Sequence, residues 1–216
     1  MATTLFFIYL GTLTFLAIAG WLMYAKTPTR YRPVIYYTWA LFGMSVIEAF
    51  FHLRGIPAKV YGQVDAFVDI SLVALLAWRW DVFKLRSAGF WIVAVLLVAA
   101  RVTEQLLPRG ENPALSWFDV ASYLIIVLIA LALLSKTIIN GERPLLKNPI
   151  FLFCTGLIFF YALTSFFDIS MLIVMRSGTD SLYKVLYGPL ALGIFTNIIY
   201  LRSLLCIPLK KNYSFS

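Results

Sequence analysis

The sequence is poor in charged residues and nearly lacks histidine and cysteine. Charged residues make up 13% of the 216 residues, whereas a soluble domain carries about 25%. One histidine and two cysteines are too few for a membrane hydrolase with a multi-histidine zinc site or for a haem held by paired histidines. The serine-hydrolase pattern Gly-x-Ser-x-Gly and a glycine-rich phosphate loop are also missing. These absences argue against a soluble domain and against each of those enzyme classes.

Long apolar stretches are what the sequence has in abundance, with 62% hydrophobic residues. They lack the apolar–polar alternation of barrel strands, and each is near the roughly 20 residues that a helix needs to span a bilayer. Short joints with Pro and Gly separate them. The sequence predicts an all-α integral membrane protein, with residues 1–216 as a single domain of seven transmembrane helices. The predicted spans are approximately 4–25, 34–53, 60–80, 88–107, 117–139, 150–175 and 182–207.

Basic residues are shared unequally between the two sides of these spans. Twelve Lys and Arg residues fall on one side and six on the other. Because positive charge favours the cytoplasmic side, the N-terminus is predicted outside and the C-terminus in the cytoplasm, in a bacterial inner membrane or a plasma membrane. The net charge of +8 is then explained by anchoring to the lipid bilayer, and nucleic acid is not a predicted partner.

Six acidic residues lie within the predicted spans, all toward the outer side: Glu48, Asp65, Asp69, Glu104, Asp119 and Asp168. An acid in hydrocarbon is costly unless it is paired or hydrated, so each is a candidate for function. Polar residues three or four apart share a helix face, and such faces should turn inward. We expect an outward-facing acidic pocket, closed below by apolar packing. Its candidate ligand-binding or ion-pathway residues are Glu48, His52, Asp65, Asp69, Arg101, Glu104, Asp119, Tyr161 and Asp168.

Non-functional explanations stay open for these residues. Those within a turn or two of a span end can reach water by snorkelling, and the deeper ones can form a structural hydrogen-bond network. Arg101 and Glu104 can form a structural ion pair.

Three functions would use such a pocket. We favour a non-catalytic receptor or accessory subunit that binds a small ligand or a cation and signals to a cytoplasmic partner. The alternative is a proton- or cation-coupled transporter of small solutes. The third is a metal-dependent membrane enzyme, in which Glu48, His52, Asp65 and Asp69 hold a divalent cation. No catalytic residue is predicted.

A faint internal repeat bears on the choice between these functions. The segment Pro33–Leu53 aligns without gaps on Pro149–Ile169, with the prolines, one leucine and a Phe-Phe pair in common. A true repeat would mean three helices, a linker helix and three more helices, and some transporters are built from repeats. Shared membrane composition is the alternative explanation.

Overall fold

A computed structural model describes the backbone of residues 2–54, 58–80, 95, 99, 117–140, 144–177 and 187–209. Side chains are described for residues 4–51, 53–54, 68–80, 95, 99, 119–139, 144–170 and 188–209. These ranges are helical and contain no strand. The all-helical part of the predicted fold class is therefore confirmed.

Six α-helices are described: α1 (Ala2–Tyr24), α2 (Arg32–Leu53), α3 (Ala58–Arg79), α4 (Trp117–Asn140), α5 (Pro149–Ser177) and α6 (Tyr187–Leu205). By length and composition, α1, α2, α4, α5 and α6 can each cross a membrane. The chain therefore has the helices of a polytopic membrane protein. The ends of α1 to α5 agree with the predicted spans to within two residues. The predicted span 88–107 lies outside the described residues, so the total of seven helices stays a prediction.

The described helices form a ring in chain order. Each packs against the next one described, and α6 packs against α1. The α2 helix runs opposite to α1, since the hydroxyls of Tyr24 and Tyr36 lie 2.9 Å apart, while Trp39, later in α2, donates its indole N–H to the carbonyl of Ala17, earlier in α1, at 3.1 Å. In contrast, α3 and α4 run the same way, because the Lys136 amine near the end of α4 donates to the Trp80 carbonyl just after α3, at 2.9 Å.

The α6 and α1 helices also run the same way. The Asn197 amide donates to the Thr12 hydroxyl at 3.0 Å, and one turn earlier Gly193 faces the ring of Tyr9. At the other edge of α6, the Ser203 hydroxyl near its end donates to the carbonyl of Pro149, which begins α5, at 2.7 Å, so these two helices are antiparallel.

These directions divide the ring into two units of three helices, α1–α3 and α4–α6. The Trp80 indole just after α3 donates to the carbonyl of Arg30 just before α2 at 2.9 Å, so α3 also runs opposite to α2. In each unit the second helix therefore runs opposite to the first and third. The units therefore correspond in order and direction, which is the arrangement that the repeat of Pro33–Leu53 on Pro149–Ile169 would require. Tyr37 and Phe153, which are equivalent in that alignment, contact each other edge to face with their ring centroids 5.2 Å apart.

We call the end of the bundle where α1 ends and α2 begins the basic end. The basic residues described there are Lys26, Arg30, Arg32, Arg79, Lys136, Lys147 and Arg202. The α1 helix starts at the opposite end and α6 finishes at the basic end. Which of the two ends faces the cytoplasm stays a prediction.

Glycine allows close packing between α5 and α6, which gives a first testable expectation. A Cβ on Gly156 would lie 2.6 Å from a ring carbon of the buried Tyr200, whereas a Cβ on Gly43 would meet nothing within 4 Å. We expect Gly156→Ala to lower the free energy of unfolding by about 1–3 kcal/mol through overpacking. The control Gly43→Ala should leave it unchanged or raise it by about 0.5–1 kcal/mol. Thermal unfolding of both variants in detergent measures the difference, and equal midpoints would contradict the packing described here.

Candidate functional site

A buried hydrogen bond joins α3 to α5 near the middle of the bundle. The Tyr161 hydroxyl donates to Oδ2 of Asp69 at 2.5 Å, and the two residues are 0% and 5% exposed. Asp69 precedes the end of α3 by ten residues, which places it about 15 Å from the basic end, half the roughly 30 Å of a bilayer core. Hydrogen bonding offsets part of the cost of a carboxylate at that depth. We call Asp69 and Tyr161 the polar centre.

Tyr37 of α2 extends the polar centre toward the basic end. Its hydroxyl lies 2.8 Å from that of Tyr161. Because Tyr161 uses its proton for Asp69, Tyr37 donates to the Tyr161 oxygen in this arrangement. The three groups come from α3, α5 and α2, so the hydrogen bonds cross from one three-helix unit to the other.

Four aromatic rings fill the bundle between the polar centre and the basic end. They belong to Tyr37, Trp80, Phe153 and Tyr200, and all four are buried. Phe153 is the common neighbour: its ring centroid lies 5.2 Å from that of Tyr37, 5.1 Å from that of Tyr200 and 6.0 Å from that of Trp80. We call these residues the aromatic plug, because close packing of rings leaves little room for water or a solute to pass.

On the other side of the polar centre, buried hydroxyl groups lack partners. Among the described residues, no hydrogen bond reaches the oxygens of Ser122, Thr164 and Ser165. Thr164 and Ser165 follow Tyr161 by one turn of α5, and Ser122 adjoins Tyr123, whose ring lies 5.4 Å from that of Tyr161. Buried polar groups in native proteins are nearly always paired with protein or water. These three unpaired oxygens can therefore bind water or the polar groups of a small solute.

The structure places the predicted site residues in different environments. It brings Asp69 and Tyr161 together in the core. Asp119 and Asp168 are half-buried, whereas Glu48 is exposed on the outer face of α2. The side chains of His52, Asp65, Arg101 and Glu104 lie outside the described residues. The full nine-residue pocket therefore stays a prediction, with Asp69 and Tyr161 as the pair that geometry joins.

The candidate metal ligands divide in the same way. Asp69 is buried and Glu48 is exposed, while the other two candidates, His52 and Asp65, have side chains outside the described part of the chain. Among the residues that the structure describes, no three His, Cys, Asp or Glu side chains lie close enough together to hold a metal ion. Binding of a divalent cation therefore stays a prediction.

Sequence reasoning missed Tyr37 and Tyr200. The predicted pocket is closed below by apolar packing, and neither tyrosine is among its candidate residues. Tyr200 lies three residues after Asn197 and four after Thr196, so it shares their helix face and could have been found by that spacing. Tyr37 gave no comparable signal, because its neighbour Tyr36 is the same residue type on the outer surface.

Comparison with known proteins does not place this chain in a family. A scan against protein-family models, a search of the curated proteins and a search of the solved structures each found no match. Function has to be argued from the residues of the site, since an arrangement of helices does not by itself imply an activity.

Proposed function

We propose that this membrane protein is a proton- or cation-coupled transporter of small polar solutes, with Asp69 as the coupling group. One observation carries this proposal: the hydrogen bond between Asp69 and Tyr161 joins the two three-helix units at mid-depth. Transporters built from repeats place their substrate and ion sites near the bilayer midplane at the interface between the repeats. Buried carboxylates also mark proton and ion routes in membrane proteins.

The groups around the polar centre suggest how coupling would work. The unpaired oxygens of Ser122, Thr164 and Ser165 lie on one side of Tyr161, and the aromatic plug lies on the other side, toward the basic end. Solute would therefore enter from the end of the bundle opposite the basic end. In the predicted orientation, that end faces outside. A neutral carboxyl accepts a weaker hydrogen bond than a carboxylate, so uptake of a proton by Asp69 would loosen Tyr161. Tyr37, which is bonded to Tyr161, would then be freed to move, and the plug could open.

Reconstitution tests this function directly. Full-length protein is placed in liposomes that enclose a pH-sensitive dye, and radiolabelled sugars, polyols and amino acids are added outside one at a time. We expect at least one solute to enter at a rate proportional to the amount of protein, and its entry to acidify the lumen or to require a sodium gradient. Solute entry with neither effect would contradict coupling, and saturable solute binding without entry would contradict transport.

Reception is the second candidate, and the closed aromatic plug favours it. A site with polar groups on one side and packed rings on the other could bind a small ligand or cation without letting it pass. A helix movement would then carry the signal to a cytoplasmic partner. The same liposomes separate the two functions, because a receptor binds its ligand with no flux of solute, proton or sodium.

A further inference from the structure

A patch of aromatic and basic residues lies on the surface of α1 and α2 at the basic end. Four aromatic side chains form it: Trp21, Tyr24, Tyr36 and Trp39. The Tyr24 ring centroid lies 5.4 Å from that of Trp39 and 6.0 Å from that of Tyr36, and Trp21 is 74% exposed. The hydroxyls of Tyr24 and Tyr36 lie 2.9 Å apart, which fixes the two rings relative to each other. We call these four residues, with Arg32 and Arg79, the interfacial patch.

The two arginines give the interfacial patch its charge. The Arg32 guanidinium stacks 4.9 Å from the centre of the Tyr24 ring, and its Nε–H is buried without a hydrogen-bond partner among the described residues. Arg79, at the end of α3, lies 5.1 Å from the centre of the Trp78 ring. Both guanidinium groups are close enough to Tyr36 to interact electrostatically with its hydroxyl. Two positive groups therefore lie in the neighbourhood of the partly exposed Tyr36.

We infer that the interfacial patch binds the phosphate headgroup of an anionic phospholipid in the leaflet at the basic end. Guanidinium groups present several N–H donors in a planar fork that matches phosphate oxygens. Tyr and Trp rings favour the level of the lipid headgroups, and here they lie beside the first residue of α2 and the last turn of α1, where the spans end. The stacked ring of Tyr24 holds Arg32 in place, so that the terminal N–H groups of its guanidinium can donate to the phosphate.

The charge and the apolar surface of the interfacial patch together indicate which molecule it binds. Zwitterionic lipids also carry a phosphate, but their ammonium group would meet Arg32 and Arg79 with repulsion. An anionic lipid brings no such penalty, and basic residues at a membrane surface attract it. The rings of Trp21 and Tyr36 would contact the acyl chains next to the headgroup, which a soluble anion cannot supply. A membrane lipid fits both the charge and the apolar surface of this patch.

Native mass spectrometry of the full-length protein tests the inference. Detergent-solubilised protein is titrated with dioleoyl phosphatidylglycerol and, separately, with dioleoyl phosphatidylcholine. We expect tighter binding of phosphatidylglycerol, and about a tenfold loss of that affinity in Arg32→Gln/Arg79→Gln. The matched control is Arg202→Gln, an exposed arginine near the basic end of α6, which should bind phosphatidylglycerol as the unmodified protein does. Arg32→Lys keeps the charge without the fork and should give an intermediate affinity.

Several results would overturn the inference. Equal binding of the two lipids, or unchanged binding in the double variant, would show that the interfacial patch does not recognise an anionic headgroup. An equal loss in Arg202→Gln would show diffuse attraction rather than a site. Displacement of phosphatidylglycerol by inorganic phosphate would assign the patch to a soluble anion, and preferential displacement by a polyglutamate peptide would assign it to an acidic protein.

Discussion

Asp69→Asn should reduce coupled uptake into proteoliposomes by at least about tenfold while leaving the protein folded. Asparagine has nearly the size of aspartate and can still accept the hydrogen bond from Tyr161, but it cannot take up a proton or hold a cation by charge. A hydrogen bond to a charged group contributes about 1.5–3 kcal/mol, and 1.4 kcal/mol corresponds to a factor of ten. The initial rate of solute-driven acidification measures the effect. A rate equal to that of the unmodified protein would remove Asp69 from the mechanism.

Two matched variants show whether the effect belongs to the polar centre. Glu48→Gln removes a carboxylate from an exposed position on α2 and should leave the rate within about twofold, because surface changes usually have small effects. Tyr161→Phe removes the donor to Asp69 and should lower the rate, whereas Tyr36→Phe removes a hydroxyl from a partly exposed ring outside the polar centre and the aromatic plug and should not. Equal losses in the two tyrosine variants would indicate a packing effect.

The sequence could predict where the helices begin and end because bilayer thickness sets their length and Pro and Gly set the joints. Their order around the ring could not be predicted in the same way. The spans are apolar on all sides, so a helix face that turns inward differs little in composition from one that meets lipid. Polar residues such as Asp69 and Tyr161 indicate the inner face, and both are among the candidate residues predicted from the sequence.

Two pairs of residues show what could not be predicted from the sequence. Tyr36 is 37% exposed and Tyr37 is 1% exposed, although an aromatic ring suits both the lipid interface and a packed core. Glu48 and Asp69 are both acids in the same predicted half of the bilayer, yet only Asp69 lies in the core. Their depth was predictable from helix rise, but the face on which each lies depends on helix rotation. That rotation follows from packing between helices far apart in sequence.

The aromatic plug should keep the bundle closed to protons and small ions, and Phe153→Ala should open it. Phe153 contacts the other three rings of the plug, so truncation removes the side chain that packs against all of them. We expect a pH gradient across the proteoliposome membrane to dissipate several-fold faster, without added solute. Loss of a buried phenylalanine costs about 3–5 kcal/mol of stability. Phe153→Leu, which keeps most of the apolar volume, serves as a milder variant and should leak less.

Phe159→Ala is the control, since Phe159 lies on the same helix but is 47% exposed. Liposomes that contain this variant should remain impermeable to protons. The variant should also keep most of its stability, because the ring of Phe159 lies largely outside the packed bundle. A leak that appears in Phe153→Ala and not in Phe159→Ala would indicate a route through the polar centre that the plug normally closes, as transport requires. If the Phe153→Ala protein is folded and its proteoliposomes stay impermeable to protons, no such route exists behind the plug. The polar centre would then be a closed binding site, which is the arrangement that a receptor needs.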